Sequence, residues 1–191
     1  MWVELAYNFV NRYYLLIYKS FLTFVALRKN IMKTEQDLHI HYTIFSSLDD
    51  LPSKALQLMK EAIAARQKAY APYSNFKVGA AVLLKNGRTF IGSNQENAAY
   101  PSGLCAERVA IYQASAQCPN EEIEMIAISG TAELPTCLPV SPCGACRQSL
   151  SEYETKQGKP ISVYFMGAEG NIIATNSIKD LLPFLFDGSL M

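Results

Sequence analysis

Apolar residues recur at intervals of three and four positions between 51 and 63, which predicts one face of an amphipathic helix. These residues are Leu51, Ala55, Leu58, Met59, Ala62 and Ile63. Ser47 or Asp49 is a suitable N-cap for this helix, and the turn-forming segment 71–75 is expected to end it. Two further helices are predicted at 104–117 and 143–155.

Short apolar runs between these helices predict strands. Residues 76–84 are almost continuously apolar, which is typical of a buried strand, and Asn86-Gly87 predicts a hairpin turn into a return strand at 88–92. Shorter strands are predicted at 124–129, 161–165 and 171–174, with a partly helical tail at 178–186. Strands that alternate with helices indicate an α/β fold. We expect three α/β/α layers around a central mixed sheet of about five strands.

The first 31 residues differ in composition from the rest of the chain. They carry a net charge of +3 and eight of the 21 aromatic residues, whereas residues 32–191 carry a net charge of −3. We therefore predict a leader at 1–31, a connecting segment at 32–48 and a folded domain at 49–191. The acidic balance of residues 32–191 argues against polynucleotide binding, because counterion release needs clustered positive charge.

The leader has three interpretations. Its apolar stretch at 15–27 contains Lys19 and is shorter than the roughly 20 residues of a membrane span, and no signal-peptide cleavage pattern follows it. It could be an amphipathic helix that contacts a membrane or a partner, or an extra helix packed on the domain. The favoured interpretation is untranslated upstream sequence with the true start at Met32, so no membrane contact is expected unless the leader is real and amphipathic.

The spacing of the cysteines points to a metal. Cys143 and Cys146 form a Cys-x-x-Cys pair, and this pair and Cys105 each open a predicted helix, where the helix dipole favours the thiolate. The pair alone fits a redox dithiol, half of a structural zinc site or chance. The only histidines, His39 and His41, are far upstream and not in ligand spacing with the cysteines. Three thiolates leave the open position that is typical of catalytic zinc.

Glu107 strengthens this interpretation. Residues i and i+2 diverge by about 200° around a helix, so Cys105 and Glu107 can converge only on a site beyond the helix N-terminus. Three thiolates around Zn²⁺ carry one net negative charge, which weakens the Lewis acidity of the metal. We therefore expect nearby compensating cations, and Arg108 and Arg147 are the candidates.

The two motifs, Cys105-Ala106-Glu107 and Pro142-Cys143-Gly144-Ala145-Cys146, are similar to the signature of the zinc deaminases. The segments 72–81 (Pro-Tyr-Ser-Asn-Phe-Lys-Val-Gly-Ala-Ala) and 92–100 (Gly-Ser-Asn-Gln-Glu-Asn-Ala-Ala-Tyr) extend the similarity, as does Leu181-Leu182-Pro183 with Phe186. Over about residues 50–187 the sequence resembles the small cytidine deaminases that form homotetramers. Residues 1–46 show no pattern of that family.

The resemblance implies a zinc-dependent hydrolytic deaminase of cytidine and 2′-deoxycytidine with one Zn²⁺ per subunit. Cys105, Cys143 and Cys146 are then the zinc ligands, and Glu107 is the proton shuttle rather than a ligand. Substrate contacts are implied for Asn94 and Glu96 with the ribose hydroxyls, Phe76 with the pyrimidine face, the Ala106 N–H with the ring carbonyl, Ala98 and Tyr100 near the sugar 5′ end, and Phe186 with a neighbouring subunit's site.

The same resemblance implies a homotetramer with shared active sites and a place in cytoplasmic pyrimidine salvage. Cys118 and Cys137 match no motif and are expected to be spare thiols, which fits a reducing compartment.

Three other functions are weighed against this one. A deaminase of a modified cytosine nucleoside, such as the blasticidin S deaminases, is disfavoured by the ribose pair Asn94 and Glu96. A polynucleotide-editing deaminase is disfavoured by the acidic balance and the lack of a basic aromatic strip. A non-catalytic zinc-binding module is disfavoured because a purely structural site has no use for the carboxyl group of Glu107.

Overall fold

The computed structural model describes residues 14, 17–19, 34–132 and 137–188. Contacts divide the chain into two units, Met1–His39 and Ile40–Met191. The predicted leader at 1–31 lies almost wholly outside the described residues and stays a prediction. Among the helices that the structure describes, none combines the length and the apolar character needed to cross a membrane.

Six strands form one mixed sheet in the order β1-β6-β5-β4-β2-β3. Their bounds are β1 (Thr43–Phe45), β2 (Lys77–Leu84), β3 (Thr89–Ser93), β4 (Ile123–Thr131), β5 (Ser162–Met166) and β6 (Ile172–Thr175). β4 and β5 run parallel and the other neighbours are antiparallel, as the predicted hairpin between β2 and β3 requires. The expected mixed α/β sheet is confirmed.

The sixth strand was not expected. β1 lies in the predicted connecting segment and pairs with β6 in the register Thr43↔Ala174, Ile44↔Ile173 and Phe45↔Ile172. A three-residue strand carries too little pattern to be recognised locally, because its pairing partner is more than 120 residues away in the chain.

Three helices cover the sheet: α1 (Ser53–Arg66), α2 (Ala106–Gln117) and α3 (Gly144–Gln157). Side chains of β4 alternate between the two faces, as the pleat of a strand requires. Met125 and Ala127 pack in the core on the α1 face, whereas Ile126 and Ile128 pack in the core with α2 and α3. Both faces of the sheet are therefore buried, and the α/β/α layering follows.

The start of α1 differs from the sequence expectation. Ser47 is the N-cap of a short 3₁₀ helix, Leu48–Asp50, where the Ser47 backbone N–H donates to the Asp50 carboxylate at 3.0 Å. α1 itself begins at Ser53, after Pro52. Pro52, whose ring fixes φ, separates the 3₁₀ helix from α1.

The N-terminus of α2 lies directly on β3 because Gly92 has no side chain. A Cβ atom at position 92 would be 2.4 Å from the Ala106 carbonyl oxygen and 2.6 Å from the Ala110 nitrogen. Any other residue would push the helix away from the strand. This close approach brings the segment that begins at Cys105 next to the chain that leaves β3 at Asn94.

α3 is fixed at its far end by the buried carboxylate of Glu154. Its oxygens accept the Ile161 N–H at 2.8 Å, the Ile178 N–H at 3.0 Å and the Ser177 hydroxyl at 2.6 Å. These bonds tie α3 to the entry of β5 and to the 3₁₀ turn Ile178–Asp180 in the tail. The tail is thus held against the same helix that carries Cys143 and Cys146 at its other end.

Candidate active site

Three thiols converge where the N-termini of α2 and α3 meet. Cys105 is the N-cap of α2, Cys143 is the N-cap of α3, and Cys146 lies in the first turn of α3. The Sγ atoms of Cys105 and Cys143 are 3.9 Å apart, those of Cys143 and Cys146 are 3.6 Å apart, and all three lie within 4.8 Å of one another. The sequence-predicted ligand set is thus brought together at one point.

These distances suit a zinc ion. Tetrahedral coordination with Zn–S bonds of about 2.3 Å separates the sulfurs by about 3.8 Å. Cys146 is buried, Cys105 is half-buried and Cys143 is exposed, so the cluster has one open side. Among the residues that the structure describes, this is the one group of three or more metal-ligating side chains. Three ligands rather than four is typical of a catalytic zinc site.

The surroundings of the cluster stabilise negative charge on sulfur. Hydrogen bonds from Cys146, Arg108 and Cys143 lower the pKa of Cys105 to about 5, with the Cys146 bond the largest cause. The same bond to Cys105, together with burial, raises the pKa of Cys146. These contacts favour the thiolate form of Cys105, and the helix dipole of α2 acts in the same direction.

The two candidate arginines have different partners. Arg108 Nη2 lies 3.8 Å from Cys105 Sγ, and this hydrogen bond raises the pKa of the guanidinium. Arg147 donates instead to the Pro142 carbonyl at 2.8 Å, the Leu181 carbonyl at 2.9 Å and the Ser141 hydroxyl at 3.3 Å. Arg147 thus links the chain before Cys143 to the start of the tail. Arg108 contacts Cys105, one of the thiols whose negative charge it was expected to compensate.

Glu107 is buried beside the thiols. It lies in the first turn of α2, its side chain is 4% exposed, and burial raises the pKa of its carboxyl group, although a hydrogen bond with Cys146 opposes the shift. A raised pKa makes a buried carboxyl group a better proton acceptor than an ordinary carboxylate. This placement fits a general acid–base next to a metal.

A cleft of about 510 Å³ leads from the thiol cluster along the chain that follows β3. Its lining residues are Tyr73, Ser74, Asn94, Gln95, Glu96, Asn97, Tyr100, Gly103, Leu104, Cys105 and Arg108. One cleft therefore connects a candidate metal ligand with three of the candidate substrate residues, namely Asn94, Glu96 and Tyr100.

Asn94 and Glu96 are held by the loop between α1 and β2. The Asn94 side chain accepts the Val78 N–H and donates to the Phe76 carbonyl, both at 2.8 Å. Glu96 accepts the Ser74 hydroxyl and the N–H groups of Tyr73 and Ser74 at 2.9 and 3.2 Å. These bonds, with the Ser74 hydroxyl first, lower the pKa of Glu96, so it lies in the cleft as a carboxylate.

The other candidate substrate residues do not line this cleft. Phe76 is half-buried immediately before β2, and Ala106 is fully buried at the start of α2. Ala98 is exposed. Phe186 is 55% exposed in the tail, where its carbonyl accepts Gln148 Nε2 at 2.7 Å.

Ser74 is one of the residues in this cleft to which the sequence motifs assign no role. It belongs to the segment 72–81, and its turn is marked by Asn75, which has a left-handed φ of 54°. Its contact with Glu96 spans 22 positions of sequence, which no local spacing can show.

Comparison with known proteins agrees with this geometry. The profile of the family described as the cytidine and deoxycytidylate deaminase zinc-binding region matches residues 52–159. The chain is 40% identical over 129 residues to a cytidine deaminase of Halalkalibacterium halodurans, covering 68% of this chain and 91% of the relative. It is 38% identical over 130 residues to a cytidine deaminase of Sporosarcina psychrophila, covering 68% and 89%.

A solved structure shows the same fold. The 1.6 Å crystal structure of cytidine deaminase from Burkholderia pseudomallei superimposes with a TM-score of 0.60 and 44% identity, covering 68% of this chain and 97% of that one. The family profile spans all three cysteines of the cluster together with Glu107. On its sequence, its fold and its three-thiol cluster, the chain belongs to the cytidine and deoxycytidylate deaminase family.

Proposed function

We propose that this protein converts cytidine and 2′-deoxycytidine to uridine and 2′-deoxyuridine by hydrolysis, with release of ammonia. The observation that carries the proposal is the buried carboxyl group of Glu107 beside three convergent thiols, at the end of a cleft that also presents Asn94 and Glu96. The similar proteins reported above are cytidine deaminases, which supports this choice of substrate.

Cys105, Cys143 and Cys146 would hold Zn²⁺, which would supply the Lewis acidity that makes water acidic enough to act as a nucleophile at neutral pH. Arg108 balances part of the negative charge of the ligands through Cys105. The two helix N-termini hold the three sulfurs in place before any ligand binds.

Glu107 moves the protons of the reaction. It takes a proton from the attacking water and passes it to ring N3, and it then helps to protonate the amino group as that group leaves. A carbon–oxygen bond forms at C4, the carbon–nitrogen bond at C4 breaks, and the nitrogen departs as ammonia. The burial of Glu107 raises its pKa, which suits a group that must both accept and donate a proton.

The remaining residues position the nucleoside. Asn94 and Glu96 bind the ribose hydroxyls, since an amide and a carboxylate offer the donors and acceptors that a hydroxyl needs. Phe76 contacts the pyrimidine face, the Ala106 N–H meets the ring carbonyl, and Ala98 and Tyr100 lie near the sugar 5′ end. Arg147 supports the site indirectly, through the chain before Cys143.

The decisive test is the loss of ultraviolet absorbance of cytidine and 2′-deoxycytidine with the zinc-loaded protein. We expect both nucleosides to be consumed, while blasticidin S and a cytosine-containing single-stranded oligonucleotide remain unchanged. Consumption of the antibiotic alone would favour the modified-nucleoside function. A zinc-loaded protein that leaves both nucleosides intact would contradict the proposal and favour a non-catalytic zinc module.

We also propose a homotetramer with shared active sites. Large apolar side chains are exposed near the cleft and in the tail, with Tyr100 77%, Phe184 92% and Phe186 55% exposed, as expected for surfaces that a partner covers. Size-exclusion chromatography with light scattering should show four chains, and Phe186→Ala should raise the KM for cytidine. A stable and fully active monomer would exclude shared sites.

The cellular setting is part of the same proposal. We propose that residues 49–191 form the catalytic domain. We also propose that the enzyme acts in pyrimidine salvage and that it does so in the cytoplasm. Support comes from the free thiols, because a reducing compartment keeps ligand cysteines available for zinc.

A further inference from the structure

A single hydroxyl group links two of the candidate substrate residues. Ser74 Oγ donates a hydrogen bond to Glu96 Oε1 and accepts one from the Phe76 N–H at 3.0 Å. Glu96 is proposed to bind the sugar, and Phe76 is proposed to contact the base. Ser74 itself lines the cleft, so it lies next to any ligand that occupies this space.

The hydrogen bonds that Glu96 accepts leave few lone-pair directions of its carboxylate open to a ligand. A carboxylate has about four lone-pair directions. Oε2 accepts the N–H groups of Tyr73 and Ser74, and Oε1 accepts the Ser74 hydroxyl. One direction therefore remains on Oε1, and the bond from Ser74 decides where it points.

The backbone around Ser74 is also held by hydrogen bonds that do not involve its hydroxyl group. The Tyr70 N–H donates to the Asn94 carbonyl at 3.0 Å, and the Glu96 N–H donates to the Tyr70 carbonyl at 2.9 Å. The Asn75 N–H also donates to the Ala71 carbonyl at 3.1 Å. Removal of the Ser74 hydroxyl should therefore release the rotation of the Glu96 carboxylate while the loop keeps its path.

We propose that Ser74 is a positioning residue for sugar recognition, whose hydroxyl holds Glu96 in the rotamer that presents its free Oε1 lone pair to a ribose hydroxyl. The inference rests on the proposed deamination of cytidine. It assigns to Ser74 an effect on the binding of the sugar and none on the chemistry at the base.

The test is Ser74→Ala with two nucleosides. For cytidine we expect KM to rise roughly tenfold, as for the loss of a hydrogen bond to a charged group, with kcat unchanged within about twofold. For 2′,3′-dideoxycytidine, which lacks the 2′- and 3′-hydroxyls, KM as a substrate or Ki as a competitive inhibitor should change by less than about twofold, because Glu96 then has no 2′- or 3′-hydroxyl to bind. If the role of Ser74 were only structural, Ser74→Ala would weaken the binding of both nucleosides to the same extent.

Two control comparisons make the result specific. Ser74→Thr keeps the hydroxyl group, and Ser74→Val has the shape of threonine without that group. We therefore expect the threonine variant to keep the wild-type KM for cytidine and the valine variant to have a raised KM. This pair also decides the question if Ser74→Ala does not fold. Ser93→Ala is the matched control, because Ser93 Oγ makes two hydrogen bonds, to the Lys68 carbonyl and from Gln95 Nε2, and neither reaches Glu96.

Two results would overturn the assignment of Ser74: an unchanged KM for cytidine in Ser74→Ala and Ser74→Val, or equal losses for cytidine and dideoxycytidine. A wild-type protein that does not deaminate cytidine would overturn the proposed function as well, so the two failures are distinguishable.

Discussion

Glu107→Gln is expected to lower kcat for cytidine by about 10²–10⁴-fold, the usual contribution of a positioned general acid–base. The substitution keeps the shape of a side chain that is 4% exposed, but glutamine cannot take a proton from water and pass it to the ring. Steady-state kinetics on the zinc-loaded variant would measure the effect, with zinc content determined on the same sample.

The zinc content of Glu107→Gln should stay at one per chain, since Glu107 is not among the three clustered ligands. Glu124→Gln is the matched control, because Glu124 forms an ion pair with Lys54 at 2.8 Å and does not line the cleft. Full activity in Glu107→Gln would refute the proton-shuttle role even if the metal site itself were correct.

Cys143→Ser is expected to abolish stable zinc binding and, with it, activity. The loss of a ligand should exceed the roughly 10–100-fold loss of affinity that is typical when only a supporting outer residue is removed. A hydroxyl group is a much poorer ligand than a thiolate, and the remaining pair, Cys105 and Cys146, cannot enclose the ion alone. Elemental analysis and competition with a chelator would measure the loss.

Cys137→Ser is the natural control for this experiment. Cys137 is exposed, it donates to Glu169 at 3.5 Å, and it lies outside the thiol cluster. We expect its replacement to leave zinc content and activity unchanged. A Cys143→Ser variant that binds as much zinc as Cys137→Ser and the wild-type protein would show that the cluster is not the metal site.

The metal ligands could be predicted from the sequence because each cysteine run carries a local signal. Each cysteine run opens a helix, so the position of the thiols follows from where α2 and α3 begin. Arg108 is three residues after Cys105 and therefore on the same helix face, which explains its contact with that sulfur.

The parts that sequence reasoning did not supply depend on contacts between distant segments. Arg147 donates to the Leu181 carbonyl, 34 positions away in the chain, and no local spacing predicts this partner. The pairing of β1 with β6 and the hydrogen bond from Ser74 to Glu96 are long-range in the same way. Pattern and spacing identify the elements, but tertiary packing decides which polar groups meet.

Gly92 illustrates how the fold connects the two halves of the site. Without a side chain at this position, α2 approaches β3 closely enough to place Cys105 at one end of the cleft that Asn94 and Glu96 line. One contact between a strand and a helix therefore helps to position both Cys105 and the residues that we propose to bind the sugar.

The central claim is that the zinc-loaded protein replaces the amino group of cytidine with an oxygen atom from water. The most direct measurement is mass spectrometry of the product formed from cytidine in ¹⁸O-labelled water. The account predicts uridine that carries one labelled oxygen, with one ammonia released for each uridine. The absence of uridine, or uridine without the label, would contradict it.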